Sequence, residues 1–388
     1  MANSTVFAQI MSLGHREVFR RCVERYGGDV QMKSFSCHDQ WLALAFAQLT
    51  HRESLRDLAS ALGSRTELLY QMGFRSQVLR STLADANEQR DWRIYADWAQ
   101  TLIRRARQLY VNDPFAVELD QTIYAFDATV IDLSLTLFPW AHFRLRESAI
   151  KLHTLLDLRG SIPTFLALTK ATVNEMLLLD TLPIEAGAIY VLDRGYTDFQ
   201  RLMRFTAAGA FFVIRGKRAL DYSVAERRAV DGATGLHCDQ TIQLRGSAAQ
   251  RRYPAPLRRI SYRDPTLARS LVFLTILFSA PAFQITELYR ARWQIELFFR
   301  WSKQHLCIRH FIGNSANAGR IQIWTAVSTY LLVAILKKTW KREPSLHEIL
   351  QVISVTPFEK IPLAELFARP SMNFTPTIHD NDVPNLFS

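Results

Sequence analysis

Apolar residues recur at helical spacing along the first 115 residues of the chain. Leucines fall on one face between 55 and 62, Ser54 and Asp57 form a capping motif before them, and Gly63 supplies a stop. Similar helical stretches follow from Thr66 and from 82 to 102. Short helices broken at glycines are typical of a small DNA-binding bundle, although a helical packing or oligomerisation domain has the same pattern. We predict an all-α domain over 1–115 and favour DNA binding.

The periodicity becomes that of β-strands after residue 121. Gly160 supplies a hairpin turn between two predicted strands, and the apolar run that ends at Asp193 is typical of a strand buried on both faces. Three strands followed by alternating helix and strand predict a mixed α/β sheet, compatible with an RNase H-like core. The predicted strands are 122–127, 149–158, 162–168, 188–193 and 210–215, with a helix over 198–208.

The segment from 215 to 270 differs from the rest of the chain in charge. It holds twelve Arg and Lys against five Asp and Glu. Strand-like stretches at 240–244 and 257–262 alternate arginines with tyrosines and apolar residues. This pattern favours a β surface that faces phosphates over a solvated loop region. We predict a basic, β-rich insertion at 215–280 within a core spanning 116–340, then a C-terminal helical segment and tail over 341–388.

Composition and charge narrow the class of protein. Of the 388 residues, 48% are hydrophobic and 21% are charged, an ordinary globular mixture. Lys and Arg outnumber Asp and Glu by 47 to 36, a formal charge of +11. This excess favours a nucleic-acid partner over an anionic membrane. The four scattered cysteines exclude a zinc-ligand pair and a disulfide scaffold.

The chain has no predicted membrane segment. Its N-terminus lacks the basic and apolar regions of a signal peptide. The most apolar helix candidate, 321–336, carries several Gln, Thr and Ser residues and is typical of a core helix. We expect a cytoplasmic protein.

Two carboxylates follow apolar strands. Asp127 closes the strand 122–127 and Asp193 closes the strand 188–193. An acid at such a position projects from the edge of the sheet, where ligands bind in open α/β folds. A single Asp often caps a turn, but two acids that each follow the same kind of strand favour a site.

A predicted helix over 286–305 carries polar residues at regular intervals. They follow the pattern Tyr-x2-Arg-x3-Glu-x6-Lys, and these four signature residues are Tyr289, Arg292, Glu296 and Lys303. At 100° per residue they share a stripe about 60° wide, and apolar residues supply the opposite side. Because Arg292 and Glu296 are four residues apart, a solvated face with an ion pair is the alternative interpretation.

The signature residues and the two strand-end acids resemble the DDE transposases of insertion-sequence family four, which a Tyr-Arg-Glu-Lys motif marks. The resemblance spans about 120–340. It implies an RNase H-like mixed-sheet catalytic core with a β-rich insertion, plus the all-α N-terminal domain. The matches to the family's first and second acid motifs are Asp127-Ala128-Thr129 and Asp193-Arg194-Gly195-Tyr196.

The resemblance also implies the chemistry and the partners. Asp127, Asp193 and Glu296 would hold two Mg²⁺ or Mn²⁺ ions, with Asp127 bridging both. Such hard cations prefer carboxylate oxygens, and two of them assist phosphodiester cleavage. Tyr289, Arg292, Lys303 and Arg194 would bind DNA. The implied function is cut-and-paste transposition by a homodimer that binds double-stranded DNA at the transposon's terminal inverted repeats and at the target.

Two alternatives stay open. A metal-dependent, RNase H-like nuclease without strand transfer would share the three acids, and a domesticated, non-catalytic DNA-binding protein would tolerate their loss. The chain also departs from the family. Asn174-Glu175 stands where a His-Asp pair is expected, and the segment 215–285 holds no Trp. A base-stacking residue there would be Tyr253, Tyr262 or a Phe.

Overall fold

The computed structural model describes residues 4–30, 32, 34–115, 117–133, 142–144, 147–217, 220–264, 269–305, 313, 315–340 and 344–367. Within these ranges the chain forms an N-terminal helical bundle, one mixed sheet and a group of C-terminal helices. The tail expected from 370 onward lies outside the described residues.

The N-terminal bundle is built around α3. This helix is buried on every side from Asp39 to Leu49. Its start is fixed by a capping box in which the side chains of Ser36 and Asp39 each bond the other's backbone N–H. The described helices of the bundle are α1 (Val6–Ser12), α2 (Arg16–Arg25), α3 (Cys37–Leu49), α4 (Leu55–Gly63), α5 (Arg80–Gln89) and α6 (Arg93–Tyr110).

The centre of the sheet has the strand order of an RNase H-like fold. β1 (Ile123–Leu133) pairs antiparallel with β3 (Glu147–Asp157), which pairs antiparallel with β4 (Ile162–Lys170) and with the short β2 (His142–Arg144). On its other side β1 runs parallel to β5 (Ile189–Leu192), and β5 runs parallel to β6 (Phe211–Arg215). Three antiparallel strands followed by two parallel ones confirm the predicted fold class.

The basic insertion extends this sheet. Its last strand, β10 (Arg269–Thr275), pairs antiparallel with β6, and β9 (Leu257–Asp264), β8 (Leu236–Leu244) and β7 (Tyr222–Arg228) follow outward in that order. Helix α7 (Phe199–Ala207) connects β5 to β6, and the short α8 (Ser247–Arg252) connects β8 to β9. The insertion and the catalytic strands are therefore one hydrogen-bonded sheet.

Five helices follow the sheet in the described part of the chain, and α11 is the longest of them. It packs against α3, α5 and α6 of the bundle and against β4 of the sheet. A single hydrophobic core runs through both layers, from Leu44 in α3 to Ile123 in β1. The helices are α9 (Ala282–Ala291), α10 (Trp293–His305), α11 (Ala316–Trp340), α12 (Leu346–Val355) and α13 (Leu363–Leu366).

Helix α11 is also the only described helix that is long and apolar enough to cross a membrane, but 94% of its apolar stretch is buried inside the protein. Its composition is that of a core helix, as the sequence predicted.

Two helix predictions need correction. The single helix expected over 286–305 is wrong, because α9 ends at Ala291 and α10 begins at Trp293, with Arg292 between them. The helix expected to run from a cap at Thr82 through residue 102 is likewise two helices, α5 and α6. In both cases the apolar periodicity continues through a short break, so the pattern alone does not reveal it.

We expect Gly160→Ala to destabilise the fold. Gly160 has φ +76°, and a Cβ there would lie 2.4 Å from Cδ1 of Tyr110. Left-handed strain and overpacking together should lower the free energy of unfolding by about 2–4 kcal/mol in urea denaturation. The control is Gly63→Ala, whose Cβ would meet no atom within 4 Å and should leave stability unchanged or raise it by up to about 1 kcal/mol. Equal stabilities for the two variants would show that the hairpin turn is not held against Tyr110.

Candidate active site

Asp127 and Asp193 lie side by side on neighbouring parallel strands. β1 and β5 stay in register up to Phe126 and Leu192, so each Asp is the next residue of its chain. Adjacent strands are about 5 Å apart, and residues in parallel register leave the same face of the sheet. Asp193 follows the end of β5 as predicted. Asp127 does not close its strand, because β1 continues to Leu133 beside β3.

Arg292 joins two of the three predicted acids. Its Nη1 donates to Oδ2 of Asp127 at 2.9 Å, and its Nη2 donates to Oε1 of Glu296 at 2.6 Å. The break between α9 and α10 lies at Arg292, so its side chain enters the sheet edge from a helix junction. Only 9% of this side chain is exposed. The Arg292–Glu296 pair is therefore not on a solvated helix face.

Tyr289 contacts the remaining acid. It is buried, and its hydroxyl donates to Oδ1 of Asp193 at 2.9 Å. Its ring packs on Phe273 of β10 at a centroid distance of 4.9 Å. The last turn of α9 therefore contacts Asp193 through Tyr289, and the following junction contacts Asp127 and Glu296 through Arg292.

The carboxylates of the site are partly buried and near one another, and this environment changes the pKa of Asp127. Burial raises the pKa of Asp127 to about 6. Arg292 and the N–H of Ala128 oppose this rise, and the charges of Asp193 and Glu296 add to it. Burial disfavours the charged form of Arg292, but Asp127, Tyr289 and Glu296 outweigh it and raise the pKa of the guanidinium. Its Nε is buried and has no hydrogen-bond partner among the described residues.

The other predicted DNA-binding residues lie at the rim. Arg194 is exposed directly after Asp193. Lys303 is half-buried on α10, seven residues or about 10 Å along the helix from Glu296. The structure brings together Asp127, Asp193, Glu296, Arg292 and Tyr289 through the contacts above, while Lys303 is further along the helix.

A second polar cluster includes Glu175, one of the departures from the family pattern. Its carboxylate pairs with Lys151 of β3 at 2.9 Å and accepts the Tyr196 hydroxyl at 3.2 Å. Burial raises the pKa of Tyr196, and the charges of Asp127, Glu175 and Asp193 raise it further. Sequence reasoning missed this role of Glu175, because the contact depends on the pairing of distant strands.

The tyrosines suggested for base stacking are not available on the surface. Tyr253 is 0% exposed and Tyr262 is 3% exposed. Tyr253 is bonded to Thr206 and packs inside the core. In the described part of the segment, Phe278 and Phe283 are the large aromatic residues with substantially exposed side chains, each 40% exposed.

The fold and the site define a polynucleotidyl transferase with an RNase H-like catalytic core. A family model described as "Transposase DDE domain" matches residues 118–332, which is more than half of the chain. The chain therefore belongs to the DDE transposases, and the resemblance to insertion-sequence family four is confirmed. Residues 2–75 match a further family, described as a domain of unknown function, DUF4372.

Several named transposases are similar to this chain. The y4zB transposase of Sinorhizobium fredii is 32% identical over 300 residues, covering 75% of this chain and 81% of the relative. A transposase for insertion sequence element IS5377 of Geobacillus stearothermophilus is 29% identical over 219 residues, covering 56% of this chain and 57% of the relative. A cryo-EM structure of a piggyBac transposase synaptic complex with hairpin DNA aligns with a TM-score of 0.47 and 8% identity, covering 90% of this chain and 78% of that chain.

Membership in this family implies a catalytic site that depends on a divalent metal. The donor chemistry fits, because Arg292 and Tyr289 link three carboxylates at one sheet edge. The burial of Asp127 and the nearby charges of Asp193 and Glu296 favour a compensating cation. In the described ranges, however, no three acidic, His or Cys side chains are close enough, as placed, to hold one ion. Arg292 supplies the compensating charge between Asp127 and Glu296 instead. We therefore expect metal binding at Asp127 and Glu296 to require that Arg292 release them.

We expect Arg292→Ala to bind Mn²⁺ more tightly than the unchanged protein. The substitution removes the cation that competes for Asp127 and Glu296, and about tenfold tighter binding corresponds to about 1.4 kcal/mol of relieved competition. Without metal the variant should lose about 3–5 kcal/mol of stability, because two partly buried carboxylates lose their partner. Calorimetric titration and urea unfolding with and without Mn²⁺ measure both effects.

The matched control is Arg290→Ala. Arg290 lies two residues before the junction, is exposed and pairs with Glu287. Its Mn²⁺ affinity should be unchanged. Equal or weaker Mn²⁺ binding by the Arg292 variant would show that the guanidinium does not compete with the metal.

Proposed function

We propose that this DDE transposase binds the terminal inverted repeats of its element, cuts at the transposon ends and joins the freed 3′ ends to target DNA. The observation that carries the proposal is the convergence of Asp127, Asp193 and Glu296 through the contacts of Arg292 and Tyr289. Asp127 and Asp193 on neighbouring strands and Glu296 on α10 have no evident structural purpose in this fold, and the buried Arg292 compensates two of them, Asp127 and Glu296.

Each residue of the site has a proposed role. Asp127, Asp193 and Glu296 would hold the two Mg²⁺ or Mn²⁺ ions. When bound, the ions would supply Lewis-acid activation of the attacking oxygen and stabilisation of the leaving oxygen. Arg292 and Tyr289 release their carboxylate partners and donate hydrogen bonds to the phosphate oxygens of the transposon end instead. Arginine suits this exchange because its planar donors match carboxylate and phosphate equally well.

The DNA path follows the active-site edge of the sheet. Strand register places the end of β6, the end of β9 and the start of β10 at this edge, since Arg215 is opposite Phe273 and Arg269 is opposite Asp264. Cations along the edge can neutralise phosphates on either side of the scissile bond. The exposed members of this group are Arg194, Lys217, Arg263 and Arg269, and Lys303 adds a further contact along α10.

The helical region over 1–115 is proposed to recognise the terminal repeats, ahead of the catalytic core over 116–340 and the C-terminal segment over 341–388. It presents exposed Tyr70 and Arg75 on the connection between α4 and α5 and exposed Arg80 at the start of α5. Arg and Tyr side chains are suited to base and phosphate contacts. Two ends must be held together during transposition, so the active form is proposed to be a homodimer. It acts on the nucleoid in the cytoplasm of a bacterium.

We expect Asp127→Ala to abolish cleavage and joining while binding of terminal-repeat DNA stays within about threefold of that of the unchanged protein. The variant removes a metal ligand but none of the proposed DNA-binding residues. A labelled duplex with a transposon end and a free 3′-hydroxyl reports both activities, because strand transfer gives a product longer than the substrate. Cleavage by the variant in Mg²⁺ would refute the assignment. Cleavage without any longer product from the unchanged protein would favour a nuclease.

Binding of terminal-repeat DNA should weaken steeply with salt. If six to ten phosphates are neutralised, affinity should fall by roughly 10³–10⁵ between 50 and 200 mM salt, because cations on DNA are released on binding. Fluorescence anisotropy over this range measures the slope of log Kd against log salt. A flat response would contradict a phosphate-lined interface along the sheet edge.

A further inference from the structure

A buried ion pair lies inside the insertion, away from the three acids. Asp239 of β8 and Arg258 of β9 have side chains that are 5% and 3% exposed. Nε of Arg258 donates to Oδ1 at 2.9 Å and Nη2 donates to Oδ2 at 2.7 Å, a fork-to-fork pair. This geometry holds the guanidinium in one orientation and leaves Nη1 free to point elsewhere.

Nη1 of Arg258 binds the backbone of the loop that leads into α9. It donates to the carbonyl of Ala280 at 2.6 Å and to that of Leu277 at 2.9 Å, with a longer contact to Phe278 at 3.4 Å. This loop, 276–281, connects β10 to the helix that ends at the Arg292 junction. One side chain of the insertion therefore ties down the segment from which α9 begins.

The loop is held on two further sides. The hydroxyl of Thr275 donates to the carbonyl of Phe212 on β6 at 2.6 Å and accepts the N–H of Leu277 at 3.0 Å. Arg228 of β7 lies over the Phe278 ring at 5.6 Å and reaches Oδ1 of Asp239 at 3.4 Å. The network links β7, β8, β9 and β6 to one short loop.

A shift of this loop would be transmitted to the site. Only eight residues separate Ala280 from Tyr289, and α9 begins at the second of them, Ala282. The inner side chains of this helix, Ile285 and Leu288, are fully buried. A packed helix of this length moves as a rigid rod. Displacement at its start would move Tyr289 from Asp193 and Arg292 from Asp127.

We propose that Asp239 and Arg258 are positioning residues of the transposase, a strand-borne pair in the insertion that fixes the start of α9 and so sets Tyr289 and Arg292 against the acids. The role of these site residues rests on the proposed function. The pair explains why one arginine of a basic insertion, whose charge otherwise suits DNA, is buried inside the protein. The insertion then has two roles: it offers exposed cations to DNA, and it holds the helix that completes the site.

Arg258→Lys is the main test, because lysine keeps the charge but cannot bind both carboxylate oxygens and the loop carbonyls at once. We expect amide exchange in the first turn of α9 to accelerate at least tenfold. Single-turnover cleavage at saturating protein should fall at least tenfold, while the Kd for terminal-repeat DNA should stay within about threefold. A general loss of stability would instead accelerate exchange across β5 and β6 as well.

The paired replacement Asp239→Leu with Arg258→Met keeps the proposal testable if the lysine variant does not fold. Apolar residues of similar volume can replace a buried ion pair without loss of stability, but they cannot bind the loop carbonyls. This variant should show the same faster exchange in α9 and the same slower cleavage. Unchanged α9 exchange in the variants that fold would overturn the proposal.

The matched control is Arg201→Lys. Arg201 of α7 forms a fork-to-fork pair with Asp180, at 3.1 and 2.8 Å, and neither residue belongs to the network around the loop. It should leave both α9 exchange and cleavage unchanged. If the unchanged protein cuts no transposon end, the proposed function fails, yet the exchange measurement still decides whether the pair holds α9.

Discussion

The constraint on which the site depends is the crowding of three carboxylates at one edge of a sheet. Such a group repels itself and resists burial, so the fold must place a cation among the acids or leave them apart. Arg292 meets this need in the structure, and the break between α9 and α10 gives it the approach that a straight helix would not. The parallel register of β1 and β5 places Asp127 beside Asp193, the helix junction brings Arg292 to Asp127, and burial raises the pKa of Asp127 while Arg292 opposes that rise.

The same arginine connects structure with activity. In the proposed function, the guanidinium that holds two carboxylates would bind a phosphate instead, because its donors match both groups, and the carboxylates would then be available to a metal ion. The continuous sheet matters here, because the insertion strands reach the loop before α9 and keep the junction at a fixed distance from β1 and β5.

Local patterns in the sequence predicted a large part of this arrangement. Alternating and apolar runs located the central strands, and the spacing of Tyr289, Arg292 and Glu296 identified the helix that faces the acids. The pattern could not show the break at Arg292, because apolar spacing continues across it, nor that Asp127 lies within a longer strand, because a polar residue resembles a strand end. The internal roles of Arg258 and Glu175 depend on strand pairing across many residues, which no local window contains.

The shared core around α11 has a consequence for how such a protein can change its target. Because the first helices and the sheet bury their apolar faces against the same long helix, the helical region proposed to recognise the terminal repeats is not a detachable module that recombination could replace whole. A graft ending near residue 115 would have to reproduce every contact with α11. New specificity is easier to acquire by point changes on the outer surface of the bundle, which leave its interior packing as it is.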